Sequence, residues 1–280
     1  MHELKGLNKM NGTTQALTIA GFDGGGGAGM QADLKTFQER FVFGTSVLTA
    51  LPIQNTKGVT NVFDLPMDAI EEQLVSIKDD FRISAVKTGM LFTAEITALV
   101  AEFLRTADFG PLVVDPVMIA KSGHALLKDS AVQAVKEELL PLAYVVTPNV
   151  PEAEVLTGRT ITTKEEMIKA GREIQQMGAK NVVVKGGHHL EGINSEDMLL
   201  LENGQVEWLF GKRIDTKNTH GTGCTFSACI TAELAKGYSV FEAVTTAKAY
   251  IQAAIEDGLS VGNGNGPTNH WAYRKVENNE

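Results

Sequence analysis

The densest concentration of chemically able residues is Asn218-Thr219-His220-Gly221-Thr222-Gly223-Cys224-Thr225, directly before the small-residue run Phe226-Ser227-Ala228-Cys229. Glycines at this spacing let successive backbone N–H groups converge, and a helix starting near Thr222 adds the positive end of its dipole. The motif therefore reads as an anion hole at a helix N-terminus. Cys224 falls in the first helical turn, where a thiol's pKa is lowered and the thiolate is accessible. The competing reading is a buried structural cysteine behind an ordinary cap. Other able side chains follow apolar runs: Asp115 before Pro116, Asn149 after Thr147-Pro148 with Glu152 three residues on, and Lys185 before Gly186-Gly187. Carboxylate and amide oxygens suit Mg²⁺, which keeps waters and bridges to phosphate oxygens. A lysine beside a glycine pair can meet a phosphate as a point charge. Singly, Asp115 and Glu152 are more economically caps or turn residues. Jointly, with the glycine motif, they describe a site for a phosphorylated ligand.

A second glycine cluster, Gly24 to Gly27 with Gly29, matches G-x-G-x-x-G. A dinucleotide fingerprint also needs an acidic residue ~20 positions on to hold the ribose. The corresponding segment here is Gln54-Asn55-Thr56, which has no carboxylate, and the chain has no G-x-x-x-x-G-K-[ST]. Two readings remain: backbone approaching a small ligand closely, or a flexible strand-to-helix connection. The histidines form no metal set. His188 and His189 are adjacent and would point to opposite faces of a strand, His124 lies in a loop, and His270 lies near the C-terminus; they read as surface or pocket residues. Glu71-Glu72, Glu137-Glu138 and Glu165-Glu166 read as solvated helix faces.

The elements that must position these residues show in the apolar pattern. Short runs rich in β-branched residues predict strands at 16–21, 46–53, 85–87, 111–115, 144–147 and 181–185. Amphipathic segments at 31–40, 67–78, 94–105, 130–139 and 164–177 predict helices between them. Strands apolar at nearly every position and separated by helices imply a parallel sheet covered on both faces. The segment 196–210 breaks the rhythm: two strands flank Glu202-Asn203-Gly204, predicting a hairpin at a sheet edge. Helices at 222–235 and 240–255 close the chain. The expected architecture is one α/β domain over 16–280, preceded by a loose tail at 1–15. In open parallel sheets the ligand lies beyond the carboxyl ends of the strands, where the polar residues cluster here.

Composition narrows the function classes. The 280 residues include 25 basic and 34 acidic side chains for a net charge of -9, so a phosphate backbone would meet an overall repulsive field. Two cysteines, Cys224 and Cys229, five positions apart, make no disulfide framework and fit a reducing compartment. No apolar run reaches signal-peptide or membrane-span length, so the expectation is a cytoplasmic protein without nucleic-acid or membrane partners.

Several motifs together resemble the ribokinase superfamily and, within it, the hydroxymethylpyrimidine/phosphomethylpyrimidine kinases of thiamine biosynthesis. They are Ala28-Gly29-Met30-Gln31-Ala32-Asp33-Leu34-Lys35-Thr36-Phe37, Gln54-Asn55-Thr56, Lys87-Thr88-Gly89-Met90-Leu91, Asp115-Pro116-Val117-Met118-Ile119-Ala120-Lys121-Ser122-Gly123, Thr147-Pro148-Asn149 with Glu152, Lys185-Gly186-Gly187-His188, and the 218–225 motif. The resemblance implies a three-layer αβα fold, ATP and Mg²⁺, and transfer of the γ-phosphate to a hydroxymethylpyrimidine and then to its monophosphate. It implies a substrate pocket of Gln54, Met90, Gly21 and Val117, with Asp33 either there or on a helix surface. Lys185, Asn149, Thr219 and Lys121 are the implied ATP contacts, and Asp115, Glu152 and Asn149 the implied metal ligands. Gly221, Thr222 and Gly223 would stabilise the transferring phosphoryl group, with Cys224 where many relatives carry an aspartate base. The segment 117–127 resembles a mobile flap, and a homodimer is implied.

One departure stands out. Phe22, Gly24 and Gly25 occupy loop positions where the family usually carries hydroxyl side chains. A similar sister group phosphorylates pyridoxal with two cysteines, one in the flap, where this chain has Ala120. Three functions therefore stay open: a pyrimidine kinase, a vitamin B6 kinase, and a catalytically weak paralogue that senses a vitamin precursor.

Overall fold

A computed structural model describes residues 12–118, 129–187 and 194–277. Along the chain run β1 (Gln15–Ala20), α1 (Gly29–Glu39), β2 (Phe43–Leu48), β3 (Ala50–Asn55), β4 (Gly58–Asp64), α2 (Met67–Asp80), β5 (Ala85–Thr88), α3 (Ala94–Thr106) and β6 (Leu112–Val114). There follow α4 (Asp129–Ala134), which runs into a π turn at Val135–Leu139, then β7 (Val145–Val146), α5 (Val150–Thr157), α6 (Lys164–Gln176), β8 (Asn181–Lys185), β9 (Asn194–Leu200), β10 (Val206–Lys212), α7 (Thr222–Ala235), α8 (Val240–Glu256) and α9 (Ala272–Glu277). Most of the expected tail, 1–11, lies outside the described residues, and Gln15 already belongs to β1.

The main sheet has eight strands in the order β10-β9-β8-β7-β6-β5-β1-β2. The strands from β2 to β8 are parallel, and β9–β10 is an antiparallel edge hairpin, as the Asn-Gly turn predicted. Successive side chains alternate between the two faces, and the central strands bury both. Val86, Val114, Val146 and Val182 pack beneath α2, α3, α5 and α6, whereas Ala85, Val113, Val145 and Val183 pack against α7 and α8. The result is three αβα layers, as expected.

The expected strand at 46–53 is two strands. β2 stays in the main sheet, but β3 leaves it and pairs with β4 as a separate two-stranded sheet. Pro52, which has no N–H to donate, sits in this separate two-stranded ladder opposite Val62, where both strands are edges and a proline is tolerated. Gln54 consequently arrives at the ligand side on a hairpin rather than at a main-sheet strand end. A β-bulge between Ile53 and Gln54 sits at that point.

Candidate active site

The carboxyl ends of β1, β5, β6, β7 and β8 and the start of α7 open onto one cleft of about 650 Å³. Five loops meet there because the parallel strands all point the same way and the order reverses around β1.

The floor is charged. Asp115, just past β6 and 2% exposed, accepts from Lys185 Nζ at 3.3 Å and from Ser227 Oγ at 3.1 Å. Burial pushes its pKa up, but the Lys185 and Lys87 ammonium groups and the Ser227 hydroxyl outweigh that and hold it below the ordinary carboxylate value. Asn149 and Glu152 form a capping box at the start of α5: Asn149 Oδ1 accepts from the Glu152 N–H, and the Glu152 carboxylate accepts from the Asn149 N–H, both at 2.8 Å. The cap reading of these residues is therefore correct, yet both also line the cleft. Burial pushes the Glu152 carboxyl up to about 7; the Lys185 charge opposes this and the Asp115 charge adds to it.

Helix α7 begins against this floor. Gly221, its N-cap residue, adopts φ 81°, and no side chain caps the helix; Thr93, Asn149, Thr163 and Ser239 cap α3, α5, α6 and α8, while α1 and α2 also start without a side-chain cap. The uncapped end is a natural anion site. A Cβ added to Gly223 would lie 3.5 Å from Lys185 Nζ and 3.7 Å from Asp115 Oδ2, so the glycine motif and the strand-end residues share one space. Thr219, Gly221, Thr222, Gly223 and Cys224 all line it.

Cys224 differs from the expectation of an acidic thiol. It lines the cleft and is half-buried by area, but protein surrounds its sulfur, and burial pushes the thiol up to about 12. The Lys87 ammonium and the Gly29 N–H pull it down, and the Asp33 and Asp115 charges push it further up. At neutral pH it is a thiol.

The opposite end of the cleft is less polar. Gly21, Gln54, Met90 and Val117 line it as expected, together with Phe22. A Cβ on Gly21 would come within 2.5 Å of Met90 Cε, so the glycine makes room for the methionine. Gln54 Nε2 donates to the Phe22 carbonyl at 3.3 Å, which fixes its amide over the pocket. Lys121 and nearly all of the expected flap lie outside the described residues, as do His124, His188 and His189.

Two expectations need correction. Asp33 neither lines the pocket nor sits on a helix surface: it is 0% exposed, paired with Lys87 Nζ at 2.8 Å and bonded to Thr18 Oγ1 at 2.6 Å. His270 is not a surface or pocket residue but is buried beside Thr225, and burial lowers it to about 4, leaving it neutral. Of the two readings of the glycine loop, the connection is the one seen: Gly24 to Gly27 do not line the cleft, and Gly27 packs against His220 and Pro267. Lys87 and the Lys248–Asp197 pair, 2.6 Å apart, line the cleft without having been singled out as site residues. Their signal was a lone lysine inside an otherwise apolar strand or helix face.

The chain matches the phosphomethylpyrimidine kinase family model over residues 23–269. It is 54% identical to a hydroxymethylpyrimidine/phosphomethylpyrimidine kinase of Haemophilus influenzae, with 95% of this chain and 100% of that protein covered. Among solved structures it is similar to a Bacillus subtilis pyridoxal kinase in complex with ADP (TM-score 0.87, 42% identity, 94% of this chain and 100% of the other). It is also similar to a phosphomethylpyrimidine kinase of Clostridium difficile (TM-score 0.77, 45% identity, 86% and 99%). An open helix end above a buried aspartate and lysine, in a three-layer fold, is thus met by agreement along almost the whole sequence: the chain belongs to the phosphomethylpyrimidine kinase family.

Proposed function

We propose that the protein transfers the γ-phosphate of ATP to the hydroxymethyl group of 4-amino-5-hydroxymethyl-2-methylpyrimidine, and then a phosphate to the resulting monophosphate. The observation that carries this reading is the uncapped start of α7 facing Asp115 and Lys185 across one cleft. Phosphoryl transfer asks mainly for alignment and charge neutralisation. The N–H groups at the start of α7 are preorganised for the transferring phosphoryl oxygens, and Lys185 balances phosphate charge. The polar amide of Gln54, with Met90 and Phe22, suits a flat aminopyrimidine, to which an amide offers both donor and acceptor. Cys224, as a neutral thiol, shapes the wall near the acceptor hydroxyl and is a poor base at pH 7.

The floor also fits Mg²⁺. Among the described residues no group of three or more His, Cys, Asp or Glu side chains is arranged to hold a metal by itself. Asp115 and Glu152 nevertheless place two buried carboxylates on one wall, each disfavouring the other's charge, and a divalent cation relieves that repulsion. Asp115 and Glu152, with Asn149 nearby, would hold the ion, water and phosphate completing its shell. When bound, it neutralises phosphate charge.

Pyridoxal is the second reading, favoured by the solved pyridoxal kinase of the same shape and by the cysteine at 224. One backbone fold serves several substrates, so shape alone weighs less than the matched sequence. ADP release with hydroxymethylpyrimidine, with pyridoxal and with no acceptor separates the readings. We expect the highest kcat/KM with the pyrimidine, and a rise in its KM for Gln54→Ala. A higher kcat/KM for pyridoxal overturns the substrate assignment, and tight pyrimidine binding without turnover makes the protein a sensor. A homodimer is the proposed assembly, testable by sedimentation. No helix among the described residues is long and apolar enough to cross a membrane, and a cytoplasmic location is the accompanying proposal.

A further inference from the structure

The middle of the Gly-rich loop after β1, residues 23–27, does not line the cleft, yet it carries a buried carboxylate. Asp23, 1% exposed, accepts N–H bonds from Gly25 (2.9 Å), Gly27 (3.0 Å) and Ala28 (2.8 Å), and its Oδ2 lies 2.9 Å from His220 Nε2. Burial pushes its pKa up, but the His220 bond and charge and the loop amides outweigh this and hold it below the ordinary carboxylate value. An ionised carboxylate only accepts, so His220 Nε2 must carry the proton it shares.

The other end of this contact adjoins the anion hole. His220 donates its backbone N–H to the Gly266 carbonyl and accepts from Thr268 through its own, so its main chain is held on one side and its ring on the other. The next residue is Gly221, the N-cap of α7. A Cβ there would lie 1.7 Å from the Gly27 carbonyl oxygen, and a Cβ on Gly27 would lie 2.9 Å from His220 Cδ2. The two glycine segments therefore touch backbone to backbone, and the first takes its shape from the Asp23 carboxylate.

We propose that Asp23 and His220 are positioning residues forming a strut between the two glycine segments, which holds the start of α7 in register for phosphoryl transfer. This rests on the kinase reading above. Nε2 of the ring is engaged by Asp23, and although His220 also lines the cleft, the strut acts through the aim of the amides at 221–223. A donor group able to reach Asp23 should substitute for the imidazole; a methyl group should not.

The test compares His220→Ala with His220→Gln, whose side-chain amide can still donate to Asp23. In His220→Ala, kcat should fall about tenfold or more, with KM for ATP and pyrimidine changed by less than about threefold, as expected for misaligned rather than missing groups. His220→Gln should recover most of kcat. Asp23→Ala combined with His220→Ala should lose less than the product of the single losses, because the two act as one unit. Wild-type kcat in His220→Ala overturns the strut, as does a loss confined to pyrimidine KM, or a His220→Gln variant as impaired as alanine. Hydrogen exchange of the amides at 219–225 reads the same strut without turnover: it should be faster in His220→Ala and restored in His220→Gln, and unchanged exchange refutes it. A wild-type enzyme that leaves the pyrimidine untouched refutes the kinase reading instead, and the exchange experiment still decides the strut.

Discussion

Cys224 should resist alkylation at neutral pH far more than an ordinary thiol. Its sulfur is held at about 12, against an ordinary value of 9.0, chiefly because burial disfavours the thiolate; the adjacent Lys87 charge does not make up the difference. Three pH units correspond to a thousandfold smaller thiolate fraction: at pH 7.5 about 3 in 100 for an ordinary thiol, and about 3 in 100,000 here. The assay is iodoacetamide labelling of the ligand-free protein from pH 6 to 11, with Cys224 followed by peptide mass spectrometry. Cys229, fully buried, should stay unlabelled throughout. The Cys224 rate should keep rising with pH to the top of that range. An inflection below pH 9, or a rate at pH 7.5 within about tenfold of a free thiol's, would refute the reasoning. The same argument bounds catalysis. A well-placed general base contributes about 10²–10⁴-fold, so Cys224→Ala should lower kcat by less than about tenfold and leave ATP binding nearly intact. A hundredfold loss would return Cys224 to the role of thiolate base.

Two further changes probe the frame beneath the site. Asp33→Ala leaves the Lys87 ammonium, 0% exposed, without its hydrogen-bonded counter-charge, and should cost about 3–5 kcal/mol in urea unfolding; a loss below about 1 kcal/mol would show that the pair contributes little. Gly221→Ala puts a methyl group where φ is 81° and the Gly27 carbonyl already stands, so the start of α7 must shift. A fall in kcat of about a hundredfold is expected with the helical circular dichroism retained, and an unaltered kcat would mean the helix end is not where transfer occurs.

Helix α7 and the edge hairpin were legible because each rests on a local signal: glycines before a small-residue run, and an Asn-Gly turn. The strand-end residues Asp115, Asn149, Glu152 and Lys185 were legible for a related reason, since parallel strands deliver whatever follows them to one side of the sheet. The hairpin β3–β4 was not, because its second strand, Gly-Val-Thr-Asn-Val-Phe-Asp, alternates too weakly to announce itself. Asp33 was misplaced because a carboxylate near a helix start looks solvent-facing until its partner is known. That partner, Lys87, is 54 residues away.

The order of residue types along this chain determined the layers, the strand ends and the presence of an anion-binding helix start, since each depends on neighbours within a few positions. Which charges are paired, and how far burial moves them, depends on groups distant in sequence sharing a low-dielectric space. Of the two readings of Cys224, the acidic thiol gave way to a neutral one, and of the two readings of the glycine loop, the connection stands, supporting another loop. Only the tertiary structure brings Asp23 to His220 and Lys87 to Asp33, and it is those long-range pairings that set protonation and aim.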